Sequence, residues 1–157
     1  MKKNKSRLLT IAVLLTLATG IIHIINRIIF TSANLKNLLK SSAQNYYNWR
    51  FGKIYYKKKG SGSPVLLIHD LTVYSSAYEW KSIIDKLAED HTVYAVDLLG
   101  CGRSEKPAMT YTSYLYVHVL SDFIKTVIRE KADIIASGYS CSFTILACNN
   151  ENNLFGK

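Results

Sequence analysis

Ala132-Asp133-Ile134-Ile135-Ala136-Ser137, running into Gly138-Tyr139-Ser140-Cys141-Ser142, is the stretch that decides the fold. Its first part has the composition of a short buried strand, and the run Phe143 to Cys148 beyond it is helix-like, so the residues between must turn sharply. Strand, tight turn and helix in that order make a nucleophile elbow, in which the turn lifts one side chain above the sheet edge. Gly138 has no Cβ to clash in the cramped backbone. Ser140 is then the candidate nucleophile, its Oγ expected above the sheet edge within reach of a base.

The segments upstream share one architecture. Phe51 to Lys58 alternates loosely as a strand and closes at the turn Gly60-Ser61-Gly62-Ser63-Pro64. Val65-Leu66-Leu67-Ile68 is a continuous apolar run ending at His69-Asp70, the mark of a strand covered on both faces. Trp80, Ile83, Ile84, Leu87 and Ala88 recur at helical spacing, and Thr92 to Val96 forms a second buried strand ending at Asp97. Leu120, Phe123, Ile124, Val127 and Ile128 repeat the stripe of a sheet-covering helix. Strands alternating with helices predict an α/β fold with a mainly parallel, doubly wound sheet.

Three motifs then fall in order at the C-terminal ends of predicted strands: His69-Asp70, the loop Asp97-Leu98-Leu99-Gly100-Cys101-Gly102-Arg103-Ser104-Glu105-Lys106-Pro107, and the elbow at Ser140. Together they resemble the N-terminal half of an α/β-hydrolase fold protein, of the group that includes esterases, lipases, epoxide hydrolases and dehalogenases. The resemblance covers residues 46–157. It implies that the backbone N–H groups of Leu71 and Cys141 form an oxyanion hole, two donors aimed at the charge that develops in acyl transfer. It also implies structural roles for His69, Asp97, Gly100, Gly102, Ser104 and Gly138. The chain departs from the family pattern twice. Asp70 stands where a glycine is usual, bringing a carboxylate toward the oxyanion, and Ser142 replaces the last glycine of G-x-S-x-G.

In the family order the triad acid and histidine follow the serine, yet only 17 residues follow Ser140 and none is His or Asp. The expectation is a truncated serine hydrolase, inactive alone, whose lineage acts on a small-molecule ester, thioester or amide. The rival is a non-catalytic remnant or an anchored interaction protein with half the fold. No cofactor and no metal are implied: Cys101, Cys141 and Cys148 form no CxxC pair, and an odd number argues against a disulfide framework.

At the other end, basic residues 1–7 (Lys2, Lys3, Lys5 and Arg7) precede an apolar segment, residues 8–30. As a helix it would extend about 35 Å, enough for a hydrocarbon core of about 30 Å. The expectation is a single-pass anchor in membrane lipid, followed by a juxtamembrane linker at 31–45 and the partial hydrolase domain at 46–157. Ala18-Thr19-Gly20 resembles a signal cleavage site, so the alternative is a secreted product. Charge supports the membrane assignment. Residues 1–50 carry eight Lys/Arg and no Asp/Glu, whereas residues 51–157 carry twelve against eleven, so most of the net +9 flanks the apolar segment. That location argues against a nucleic-acid partner and favours the N-terminus inside with the domain on the outer face.

Overall fold

The computed structural model describes residues 2–35 and 45–156. They divide into two units, residues 1–40 and 41–157. The described residues of the first form a single helix, α1 (Lys2–Leu35). Its stretch Thr10–Ile29 is 20 residues long with a mean hydropathy of 1.8, or about 30 Å at 1.5 Å per residue. By length and composition alone this helix is long and apolar enough to cross a membrane, a test that a signal sequence passes as well. Two hydroxyls within it are satisfied by the helix itself: Thr16 donates to the Ala12 carbonyl at 2.9 Å and Thr19 to the Leu15 carbonyl at 2.6 Å, the local bonding open to such side chains in a helix. Most of the expected linker, residues 36–44, lies outside the described residues.

The second unit is built on five strands, β1 (Asn45–Trp49), β2 (Gly52–Lys59), β3 (Ser63–Ile68), β4 (His91–Val96) and β5 (Asp133–Ala136). Their order across the sheet is β1-β2-β4-β3-β5. β1 and β2 form an antiparallel hairpin, β2 joins β4 antiparallel, and β3 lies parallel to both β4 and β5. The continuous apolar run of β3 is explained by its two faces. Leu66 and Ile68 enter one core with Tyr94, Val96, Leu120 and Phe143, while Val65 and Leu67 enter a second with Val93, Ala95, Ala77 and Ile84. Neither face meets water, so neither needs polar residues.

Two helices cover the larger core. α3 (Ser113–Phe123) is capped by Thr112, whose Oγ1 accepts the Leu115 N–H at 3.2 Å; it widens into a π-helical turn, Ile124–Ile128, that ends at Arg129 in left-handed conformation, φ 66°. α4 (Ser140–Asn150) follows β5. On the other face the helical spacing from Trp80 to Ala88 is realised as two short pieces, a 3-10 turn at Ala77–Trp80 and α2 (Ile84–Leu87). Parallel strands β3 and β5 end side by side, Ile68 opposite Ala136, and this brings two of the three motifs to one corner.

Candidate active site

The corner is organised by His69, Asp70 and the β5–α4 turn. His69 is fully buried at the end of β3. Its Nε2 accepts the Leu98 N–H at 3.0 Å and its Nδ1 lies 2.6 Å from the Asp70 carbonyl oxygen. One nitrogen accepts and the other must donate, which fixes a neutral imidazole with its proton on Nδ1. Burial lowers the His69 pKa below its usual range, against the pull of the Asp70 carbonyl and of the Asp97, Glu79 and Asp70 carboxylates. Both ring nitrogens are therefore engaged, Nε2 in tying β3 to the loop after β4 and Nδ1 in fixing the backbone at Asp70.

That loop is held by the buried Asp97. Its Oδ1 accepts the Ala77 N–H at 2.6 Å and its Oδ2 the Arg103 N–H at 2.8 Å. Gly102 approaches so closely that a Cβ there would overlap the Asp97 carboxylate. Ser104 donates to the Asp97 carbonyl at 2.5 Å and accepts the Tyr55 N–H at 2.8 Å, joining the loop to β2. Gly100 takes φ +90° against the Tyr111 ring. These contacts are structural ones, and the side chains involved have little freedom for chemistry.

The elbow differs in frame from the sequence expectation. The residue in left-handed conformation is Gly138, φ +55°, and Tyr139 is already right-handed, so α4 begins at Ser140. Ser140 consequently points inward. It is fully buried, and its Oγ donates to the His69 carbonyl at 2.5 Å. Cys141 is likewise committed, its N–H reaching the Gly138 carbonyl at 3.3 Å within the first turn. The physical reason is local: glycine enters the left-handed region at almost no cost, whereas a serine there would be strained.

With Gly138 at the apex, the backbone N–H that follows it belongs to Tyr139. It donates to Asp70 Oδ1 at 2.8 Å, and the Leu71 N–H donates to the same oxygen at 2.8 Å. Two backbone donors from adjacent strand ends thus converge on one carboxylate oxygen. The sequence expectation paired the Leu71 N–H with that of Cys141; in the structure the N–H beside it is that of Tyr139, and the Asp70 carboxylate sits between the two. Glu79 braces the corner from the opposite side: its Oε2 accepts the Asp70 N–H at 3.1 Å and its Oε1 accepts the Ser137 hydroxyl. Neither Tyr139 nor Glu79 carried a sequence signal, since one acts through its backbone and the other lies on a turn with no motif.

The other described histidines in this unit lie elsewhere. His91 opens β4 with its Nδ1 2.8 Å from Ser63 Oγ, and His118 stacks edge-on against Tyr114 on α3.

Residues 65–148 match the model of the alpha/beta hydrolase family, and the chain belongs to that family. Among its relatives, a soluble epoxide hydrolase of Corynebacterium sp. is 32% identical over 90 residues, 57% of this chain and 31% of its own length. A haloalkane dehalogenase of Agrobacterium fabrum is 37% identical over 91 residues, 58% of this chain and 29% of its own. Among solved structures, a serine hydrolase involved in carbazole degradation superposes with a TM-score of 0.69 at 27% identity, over 73% of this chain and 45% of that one. The chain spans about a third of the length of these curated relatives.

Proposed function

We propose that this chain carries the oxyanion-binding corner of a membrane-anchored α/β hydrolase acting on a small organic substrate. The observation behind this reading is the convergence of the Leu71 and Tyr139 N–H groups on one oxygen, each at 2.8 Å. Two fixed donors from separate strand ends form a site for a negatively charged oxygen, the kind of preorganised electrostatics on which hydrolytic catalysis depends. Relatives that hydrolyse epoxides or dehalogenate haloalkanes support a small, neutral, electrophilic substrate. The described residues supply the oxyanion donors and a carboxylate, and turnover needs a general base from outside them, because His69 has neither nitrogen free and His91 and His118 bond and pack away from the corner. The anchor is residues 8–30, with the basic residues 1–7 on the inner side of the membrane and the domain on the outer side.

A second reading keeps Ser140 as the nucleophile, favoured by its Gly-x-Ser spacing. It requires Oγ to leave the His69 carbonyl and turn outward. Removing the internal carboxylate tests the first reading. In the full chain held in nonionic micelles, Asp70→Gly should open the site to acetate, so that titration shifts the Leu71 and Tyr139 amide resonances together while the unsubstituted protein does not respond. If neither amide moves in the variant, the oxyanion-site reading fails.

A further inference from the structure

We propose that the cleft between the π-helical turn and the C-terminal segment is a binding site for a small organic carboxylate, separate from the corner. The cleft measures about 310 Å³. One wall is the turn Ile124–Ile128 with the link Arg129-Glu130-Lys131 that follows it, and the other is the 3-10 turn Asn152–Leu154. Lys131 leads into β5, whose far end reaches the elbow, so the length of that strand separates the cleft from the corner. The inference does not rest on the oxyanion-site reading.

The first support is Arg129. Among the described residues it alone, apart from glycines, has a positive φ, 66°. It closes the π-helical turn, its N–H donating to the Ile124 carbonyl at 2.7 Å. A left-handed residue at a helix end is ordinarily glycine, which takes that conformation without steric cost. An arginine held where glycine would be unstrained points to a use for its side chain. Single π turns are themselves frequent at functional sites. The side chain is also fixed in advance: Nε donates to the Thr126 carbonyl at 3.0 Å, while the two Nη groups have no partner among the described residues. The guanidinium thus keeps donors free for a planar acceptor in the cleft it lines.

The second support is the balance of charge. Lys125, Arg129 and Lys131 line the cleft against one carboxylate, Glu130. Lys125 is paired with Glu151, so Arg129 and Lys131 face Glu130 with one positive charge in excess. That excess suits a monoanion, and a phosphate dianion would reverse it. The planar oxygens of a carboxylate also match the guanidinium fork. Ile124 and Leu154, which pack with the larger core, offer apolar surface to the carbon skeleton of the ligand.

Benzoate is the probe, and benzamide is its neutral isostere. In the full chain held in nonionic micelles, benzoate should shift the Arg129 Nε–H and Lys131 amide resonances saturably, with a Kd on the order of 1 mM for one charge-assisted fork and a modest apolar contact. The Leu71 and Tyr139 amides should stay in place, and benzamide should move none of the four. Arg129→Gly leaves the left-handed turn unstrained, so it should keep the fold while weakening benzoate at least about tenfold, read at the Lys131 amide. Lys131→Gln, at an exposed position, should weaken it by about threefold, read at the Arg129 Nε–H, through lost charge alone. Equal responses to benzoate and benzamide, a benzoate shift that grows without saturating, or unchanged affinity in either variant would overturn the proposal.

Discussion

Replacing Ser140 by alanine separates a buried structural hydroxyl from a nucleophile. In the structure the Ser140 Oγ is fully buried and donates to the His69 carbonyl at 2.5 Å, joining the start of α4 to the end of β3. Ser140→Ala removes that donor and leaves a carbonyl oxygen in a dry interior, where an unpaired acceptor costs about 1–3 kcal/mol. For a domain of this size each kcal/mol corresponds to about 4–8 °C in Tm, so a fall of about 5–20 °C is expected. Trp49 is buried against the larger core, and its fluorescence during urea or thermal unfolding of the full chain in micelles provides the assay. A nucleophile released from strain would behave in the opposite way. If Ser140→Ala is as stable as the parent or more so, the inward orientation of Ser140 is wrong, and with it the assignment of Gly138 to the apex.

Three further outcomes are expected. Because burial lowers the His69 pKa, the unfolded chain binds a proton there that the folded one does not; stability is complete above the unfolded value of 6.5 and declines as pH falls below it, by up to about 1.4 kcal/mol per pH unit. Denaturant titrations between pH 7.5 and 5 should show this slope, and it should flatten in His69→Gln; the Asp85, Asp122 and Glu151 carboxylates, whose pKa values are lowered, act only at more acid pH. On α4, Phe143→Ala should cost about 3–5 kcal/mol because Phe143 is fully buried, whereas Ile145→Ala, at 67% exposure, should cost under about 0.5 kcal/mol in the same unfolding experiment. Finally, alkaline carbonate washing should leave the full chain in the membrane fraction, and a soluble product beginning near Ile21 would establish signal cleavage instead.

The central strands were legible because burial on both faces leaves a sequence trace: Val65 to Ile68 and Val93 to Val96 carry no charged residue and are buried throughout, and each run ends at a polar residue. β1 left a weaker trace, since Asn45-Tyr46-Tyr47-Asn48 sets two adjacent tyrosines between two asparagines, without alternation, and pairs with β2 alone among the described strands. Asp97 and Ser104 were readable as a structural loop from the glycines between them. The frame of the elbow was not readable. α4 carries apolar residues on opposite sides, Phe143 and Ala147 inward and Ile145 and Leu146 outward, so periodicity could not say which side faces the core. Choosing between Gly138 and Ser140 as apex depends on which takes the left-handed conformation, a backbone property that a Gly-x-Ser motif does not report. The role of Tyr139 is a backbone N–H, invisible in side-chain chemistry. The departure at Asp70 was visible as a carboxylate where a glycine is usual, but its bonds to both N–H groups depend on the backbone path of the turn.

The convergence of two amides on one oxygen of Asp70 is the claim on which the functional reading depends, and hydrogen exchange of the Leu71 and Tyr139 amides at neutral pH, in the unsubstituted chain and in Asp70→Gly, tests it most directly. Both N–H groups donate to the same atom, so removing that acceptor should speed the exchange of both amides together while the amides of β4 keep their protection. Faster exchange at only one of the two amides, or at neither, would contradict the account.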